Sequence, residues 1–431
     1  MAEIRPFKGI HYNPKHVQDY AAVICPPHDI ISPALQDELY NRNEFNFVRL
    51  EYGKTQPDDN EKNNRYTRSA ATLEQWLKKS ILETDGKPTI YLHDHMFTLD
   101  GTQYKRRGII VRVKLEEWAK NIIKPHENTL AVTKSDRLSL IRALQANTSP
   151  ILAMFEDRQQ QVYSTIVRQT QRIPIVDARI VNGEGHKVWS ITDNSMIETI
   201  TKALAQQLLY IADGHHRYES ALAYSKERNK PGDSAFNYVM MELVDFSHNG
   251  LKILAPHRMV KGVPQTVLDG LMPKLEEFFL VEKAPLNAAE MRKQMDEFFA
   301  GTDGVRFGII GLTAGSLLKL KLKDTAAAAA AIPGAHSELY KKLDVSILDH
   351  LLLEKLMGMS AEGDKTGLAY SADLAEVTAR VSSGEYQIGV LLAPVTPSTI
   401  KAISDAGDKM PPKSTYFYPK DPSGLVLNRL N

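Results

Sequence analysis

The segment "LLYIADGHHRYESAL", residues 208–222, sets the tightest limit on what this chain can fold into. Leu208 to Ala212 form an apolar run of strand character. Asp213 and Gly214 interrupt it, because neither residue type suits a strand interior. Tyr218, Ala221 and Leu222 then fall on one helical face and predict a stripe turned toward a core. Asp213 is expected at the helix N-cap, its carboxylate accepting from backbone N–H groups two or three residues on. Pro231-Gly232 is expected to end the helix.

The same interleaving recurs along the chain and predicts a mixed α/β (α+β) fold. "AAVICPPHDII" reads as a strand stopped by Pro26-Pro27. Ala70, Leu73, Leu77 and Ile81 share a helical face. "TIYLHDHMFTL" and "RRGIIVRVKL" flank Asp100-Gly101, a favoured hairpin turn. "LEEWAKNI" and "RLSLIRALQAN" read as helices, residues 172–212 as short strands, and "FGIIGLTAGSLLKLKLKD" as a hairpin over "TAGS". "LYKKLDVSILDHLLLEKL" reads as an amphipathic helix, and the six alanines 326–331 as a helix start or spacer.

With 431 residues, two or three domains are expected. The 53 basic and 52 acidic residues leave a net charge of +1, which gives no footprint for nucleic acid or an anionic membrane. The N-terminus "MAEIRPFKGIHYNP" has no signal-peptide core, and no apolar run approaches the ~18 residues of a membrane span. Cys25 is the single cysteine, so no intramolecular disulfide can form, and a reducing, cytoplasmic setting is expected.

Gly214, His215, His216 and Arg217 occupy the expected first helical turn. Unpaired N–H groups and the positive dipole end make such a turn an anion site. The dipole supplies only ~0.3–1 kcal/mol, so Arg217, with its planar fork of donors, and the histidines must carry much of any phosphate binding. Asp213 could hold a divalent cation that bridges phosphate oxygens.

Other motifs carry less. "EYGKT" lacks the first glycine of a P-loop, "HENTL" lacks the second histidine of a zinc protease, and no G-x-G-x-x-G occurs. His93 and His95 share one strand face and could chelate a metal, although such a pair without a third ligand is more often structural. Asp136, in "KSDRL", reads as a helix N-cap. Lys413, in "PPKSTYFYPK", could reach an anion, or the segment could be an ordered tail. Cys25 reads as core.

"ADGHHRYESAL" resembles the signature of the bacterial domain-of-unknown-function family 1015. So do "RPFKGI", "ICPPHDIIS", "EYGKTQPDDNEKNNRYTRSA", "KPHENTLAVTKSDRL", "ANTSPI", "APHRMV" and "MPPKSTYFYPKDPSGL". That family is similar to the ParB/sulfiredoxin superfamily and its free-serine kinases, which pair a "PHE" element with a "DGHHR" element. Here these are Pro125-His126-Glu127 and Asp213 to Arg217.

The resemblance implies that Glu127 is the base toward a serine hydroxyl and that 213–217 binds phosphate and metal. His126 orients the glutamate, contacts phosphate or makes a loop hydrogen bond. His28 and Asp29 line the substrate. Mg²⁺ and a nucleotide (ATP or ADP) are the implied cofactors, and L-serine or O-phospho-L-serine the small-molecule partner. The expected layout is an N-terminal α/β segment over 1–110, a ParB/sulfiredoxin-like core over 111–235 and a C-terminal α/β segment over 236–431. Two other functions remain open at this point. One is a phosphoserine phosphatase using the same residues; the other is a non-catalytic nucleotide-sensing or partner-binding protein.

Overall fold

The computed structural model describes residues 1–431 except 130, 181–182, 229–231, 233, 302–303 and 360–366. The fold is mixed α/β. The chain divides into two compact units. The first comprises Met1–Pro125, Thr129–Lys252 and Pro419–Asn431; the second comprises His126–Asn128 and Ile253–Tyr418. The expected boundaries differ from these. Residue 110 lies inside the strand Thr102–Lys114, and residue 235 opens the 3-10 turn Ala235–Asn237. Composition does not change where an uninterrupted ladder crosses a boundary drawn from motifs.

The first unit is built on a nine-stranded mixed sheet. From one edge its strands run Ile123–Lys124, Leu209–Asp213, Ile151–Phe155, Tyr238–Asp245, Thr102–Lys114, Ile90–Leu99, Gly185–Ile191 and Val176–Arg179, and Ile4–Arg5 joins Thr102–Lys114. The hairpin 90–114 turns at Asp100 and Gly101, at φ 50° and 74°, as a two-residue turn of this hand requires. A second, four-stranded sheet joins Leu82–Thr84, Gly9–Tyr12, Leu427–Arg429 and Ala146–Asn147. The C-terminal strand is therefore a central element of this unit.

Helix His215–Arg228 follows the Leu209–Asp213 strand directly. Tyr218 and Ala221 are buried in the main core, and Leu222 packs against it. The Tyr218 hydroxyl donates to the Glu116 carbonyl at 2.7 Å, and its ring stacks on Trp118 at 4.4 Å. Gly214 occupies the N-cap position: its carbonyl accepts the first intrahelical bond, from the Tyr218 N–H. Asp213 is the last strand residue. Pro231, expected to end this helix, lies outside the described residues.

The second unit carries a six-stranded antiparallel sheet, ordered Phe279–Pro285, Ser316–Leu322, Arg306–Ile310, Ile388–Leu391, His257–Val260, Leu368–Ser371. The 306–322 hairpin is as expected. Its core is formed by Met259, Met291, Met295, Ile310, Val377 and neighbours.

Several local expectations differ. "AAVICPP" forms the short helix Tyr20–Val23, capped by the Asp19 side chain, followed by a bridge from Cys25 to Ser423. "LEEWAKNI" makes only the 3-10 turn Trp118–Lys120. Helix Asn194–Leu204 lies within the stretch expected to be strands, and Asp193 caps it. Residues 338–356 break into two single turns and a π-helix, Leu348–Leu356. Asp136 lies inside helix Ala131–Leu144, where it accepts from Arg65, Tyr66 and Arg137. Cys25 is buried, as expected. No helix among the described residues is long and apolar enough to cross a membrane.

Ile211 has no solvent exposure and sits in the strand that delivers Asp213. Ile211→Ala is expected to destabilise the first unit by about 2–5 kcal/mol in denaturant titration, because the cavity refills only partly.

Candidate functional site

In the first unit, the strand-to-helix turn at 213–217 folds around its own arginine. The Arg217 Nη2 donates to Asp213 Oδ2 at 2.6 Å. Nη1 donates to Ser149 Oγ at 3.0 Å and to the Pro150 carbonyl at 2.5 Å. Gly214 stands at φ +97°, and a Cβ there would lie 2.9 Å from Arg217 Nε. The left-handed backbone favours glycine, and a Cβ there would push the guanidinium aside.

The other Asp213 oxygen, Oδ1, accepts from Lys420 Nζ, and Lys420 also lies 3.8 Å from Asp29 Oδ2. Burial raises the Asp213 pKa, but Lys420 and Arg217 outweigh it and hold the carboxyl well below its usual range. Both oxygens thus face cationic side chains. The expected metal role of Asp213 would require Lys420 or Arg217 to give up one of these oxygens. Its observed work is to hold Arg217 and Lys420 in place.

A small cleft of about 40 Å³ borders this turn. Arg217, Arg137, Glu51, Thr148 and Ser149 are among its walls. Arg137 is buried and clamped by Asp136 at 2.5 Å and by Glu51 Oε1 at 3.3 Å. Glu51 ends the short helix Val48–Glu51 and is wholly buried. Burial pushes its pKa up, but His28, 3.6 Å away, and Arg137 outweigh that and bring it to about 2. Two guanidinium groups and two hydroxyls facing one cleft can bind a tetrahedral oxyanion through charge-assisted hydrogen bonds.

The expected site residues fall into two groups. His28, Asp29 and Gly214 to Arg217 belong to the first unit, with His215 buried and His216 half-buried. His126, Glu127 and Lys413 belong to the second. There, Glu127 Oε1 accepts from the Lys413 backbone N–H at 2.9 Å, and Lys413 holds φ 58°. His126 has no exposure and meets Thr415 Oγ1 at 3.0 Å, while its carbonyl accepts from the Met410 N–H. The loop hydrogen bond is thus the role its contacts display. The Lys413 side chain is exposed.

Sequence reading missed Glu51, Thr148, Ser149 and Lys420. A signal existed for the middle pair: "ANTSP" places three polar residues directly before the buried strand Ile151–Phe155. Glu51 and Lys420 gave none, because each acts through partners far along the chain.

The family model described as a protein of unknown function, DUF1015, matches residues 4–346, and the chain belongs to that family. No curated protein matches it. Among solved structures, a free serine kinase variant in complex with AMP is 14% identical, covering 74% of this chain and 91% of its own, with a TM-score of 0.36. A conserved hypothetical protein from Pyrococcus furiosus is 15% identical (74% and 95% covered, TM-score 0.35). A C-terminally truncated SbnI from Staphylococcus aureus is 11% identical (74% and 87% covered, TM-score 0.33). The nucleotide belongs to the first of those structures.

Two predictions follow from the geometry. Gly214→Ala should lower stability by about 1–2 kcal/mol through its left-handed backbone alone, and should displace Arg217, read by thermal melts and a crystal structure. For Glu51 the folded pKa lies below the usual 4.5, so its stabilisation is present above that value and is lost as pH falls toward about 2. The stability difference between wild type and Glu51→Gln, from urea melts, should be greatest above about pH 5 and shrink as pH is lowered.

Proposed function

We propose that this protein transfers a phosphoryl group at the hydroxyl of serine, running as a nucleotide-consuming free-serine kinase in the reducing cytoplasm. The observation that carries the reading is the cleft of the first unit, where Arg217 and Arg137 are held in fixed orientations beside Ser149 and Thr148. Phosphoryl transfer needs little covalent chemistry from the protein. It needs charge neutralisation on the moving group and an oriented nucleophile.

The donors of Arg217 and Arg137, the hydroxyls, and the opening N–H groups of helix His215–Arg228 would bind the phosphate oxygens. Asp213 and Lys420 act through Arg217 and are positioning residues. In the kinase direction the serine Oγ–P bond forms, the nucleotide's terminal P–O bond breaks, and the hydroxyl proton passes to a carboxylate. The resemblance of Pro125-His126-Glu127 to the kinase element assigns that proton to Glu127. The Lys413 N–H fixes one Glu127 oxygen.

Glu127→Gln should reduce serine-dependent nucleotide consumption by about 10²–10⁴-fold while binding of nucleotide and O-phosphoserine is retained. Loss of binding in that variant would contradict the base role. Release of inorganic phosphate from O-phosphoserine without nucleotide would replace the kinase direction with hydrolysis. Ligand-dependent thermal stabilisation without any turnover would replace both with sensing.

A further inference from the structure

Away from the cleft, the first unit buries three histidines and two carboxylates on its main sheet. His93 and His95 come from the strand Ile90–Leu99, His186 from Gly185–Ile191, and Glu242 from Tyr238–Asp245. His186 pairs directly with His95 across the ladder. Asp421 arrives with the C-terminal segment of the unit. His93, His95 and Glu242 have no exposure, His186 has 1% and Asp421 7%. Gly108 lies opposite His93 on the intervening strand, and a Cβ there would sit 2.6 Å from Glu242 Oε1. This glycine lets Glu242 reach across a whole strand to His93.

Short contacts link the rings. His93 Nδ1 lies 2.8 Å from Glu242 Oε2, and His93 Nε2 lies 3.1 Å from His186 Nδ1. His186 Nε2 is buried and without a hydrogen-bond partner. His95 Nε2, Glu242 Oε1 and Asp421 Oδ2 are likewise buried and unpartnered. Four such atoms in one cluster are costly, at about 1–3 kcal/mol each, unless something coordinates them.

We propose that the first unit binds one divalent transition-metal ion of the zinc class through His95 Nε2, His186 Nε2 and the carboxylate of Glu184. Ligand atoms of these three residues lie within 4.8 Å of one another, and His95 Nε2 is 3.6 Å from Glu184 Oε2. Two imidazoles and one carboxylate form a donor set that zinc accepts, with a further position left for water. Glu184 is the rim residue, 21% exposed at its side chain, and gives the ion a way in.

The outer contacts suit a metal site. His186 is backed through His93 by Glu242. His95 Nδ1 accepts from Arg106 at 3.2 Å and lies 3.7 Å from Asp421 Oδ1. Arg106 also pairs with Asp421 and donates to the Pro419 carbonyl.

The test uses the full-length protein, dialysed against chelator and titrated with Zn²⁺ by calorimetry, with bound metal counted by mass spectrometry. One equivalent per chain and a raised melting temperature are expected. Glu184→Gln, at the rim, should fold like the metal-free wild type and bind at least about tenfold more weakly. His186→Asn should lose stoichiometric binding. Bound Co²⁺ should show intense visible bands of low coordination that both variants weaken. Absence of stoichiometric zinc in the wild type, or unchanged affinity in Glu184→Gln, would overturn the site.

Discussion

The Asp213–Arg217 ion pair, closed around a glycine that admits no side chain, organises the cleft of the first unit. An arginine in the first turn of a helix would ordinarily extend into solvent and sample many rotamers. Here Asp213, Ser149 and the Pro150 carbonyl hold it, so its fork is placed before any ligand arrives. Lys420 completes the arrangement by balancing the second Asp213 oxygen. Such prior placement reduces the side-chain entropy lost on binding and gives the cleft a fixed pattern of donors.

The same arrangement changes the chemistry expected of the motif. A carboxylate flanked by two cations is stabilised as an anion and satisfied by them, so Asp213 serves as the anchor of the arginine. In the proposed function, phosphate binding falls to the guanidiniums and the backbone N–H groups. Glu51 repeats the logic deeper in the cleft, where a wholly buried carboxylate remains charged because Arg137 and His28 stand beside it.

The parts of this fold legible in sequence were those specified by neighbours in the chain. The 90–114 hairpin announces itself through Asp100-Gly101, and the 208–222 unit through a change of period from strand to helix. What escaped depended on distant partners. Asp213 read as an N-cap from its neighbours, and nothing near it in sequence announced that its oxygens also meet a lysine 207 residues away and an arginine four residues on. Helix Asn194–Leu204 was hidden among β-branched residues whose intrinsic preference is overridden by packing. His93 and His95 were visible as a same-face pair, yet the third histidine and the carboxylates came from other segments of the chain.

The central claim is that the cleft beside Arg217 is where phosphate binds, and calorimetric titration of O-phospho-L-serine and of ADP into wild type, Arg217→Lys and Arg217→Ala tests it most directly. The account predicts affinity at least about tenfold weaker in both variants, the lysine failing because it keeps the charge but loses the fork. Circular dichroism and melting curves would verify that the variants remain folded. A folded Arg217→Ala protein that binds both ligands as tightly as wild type would contradict it.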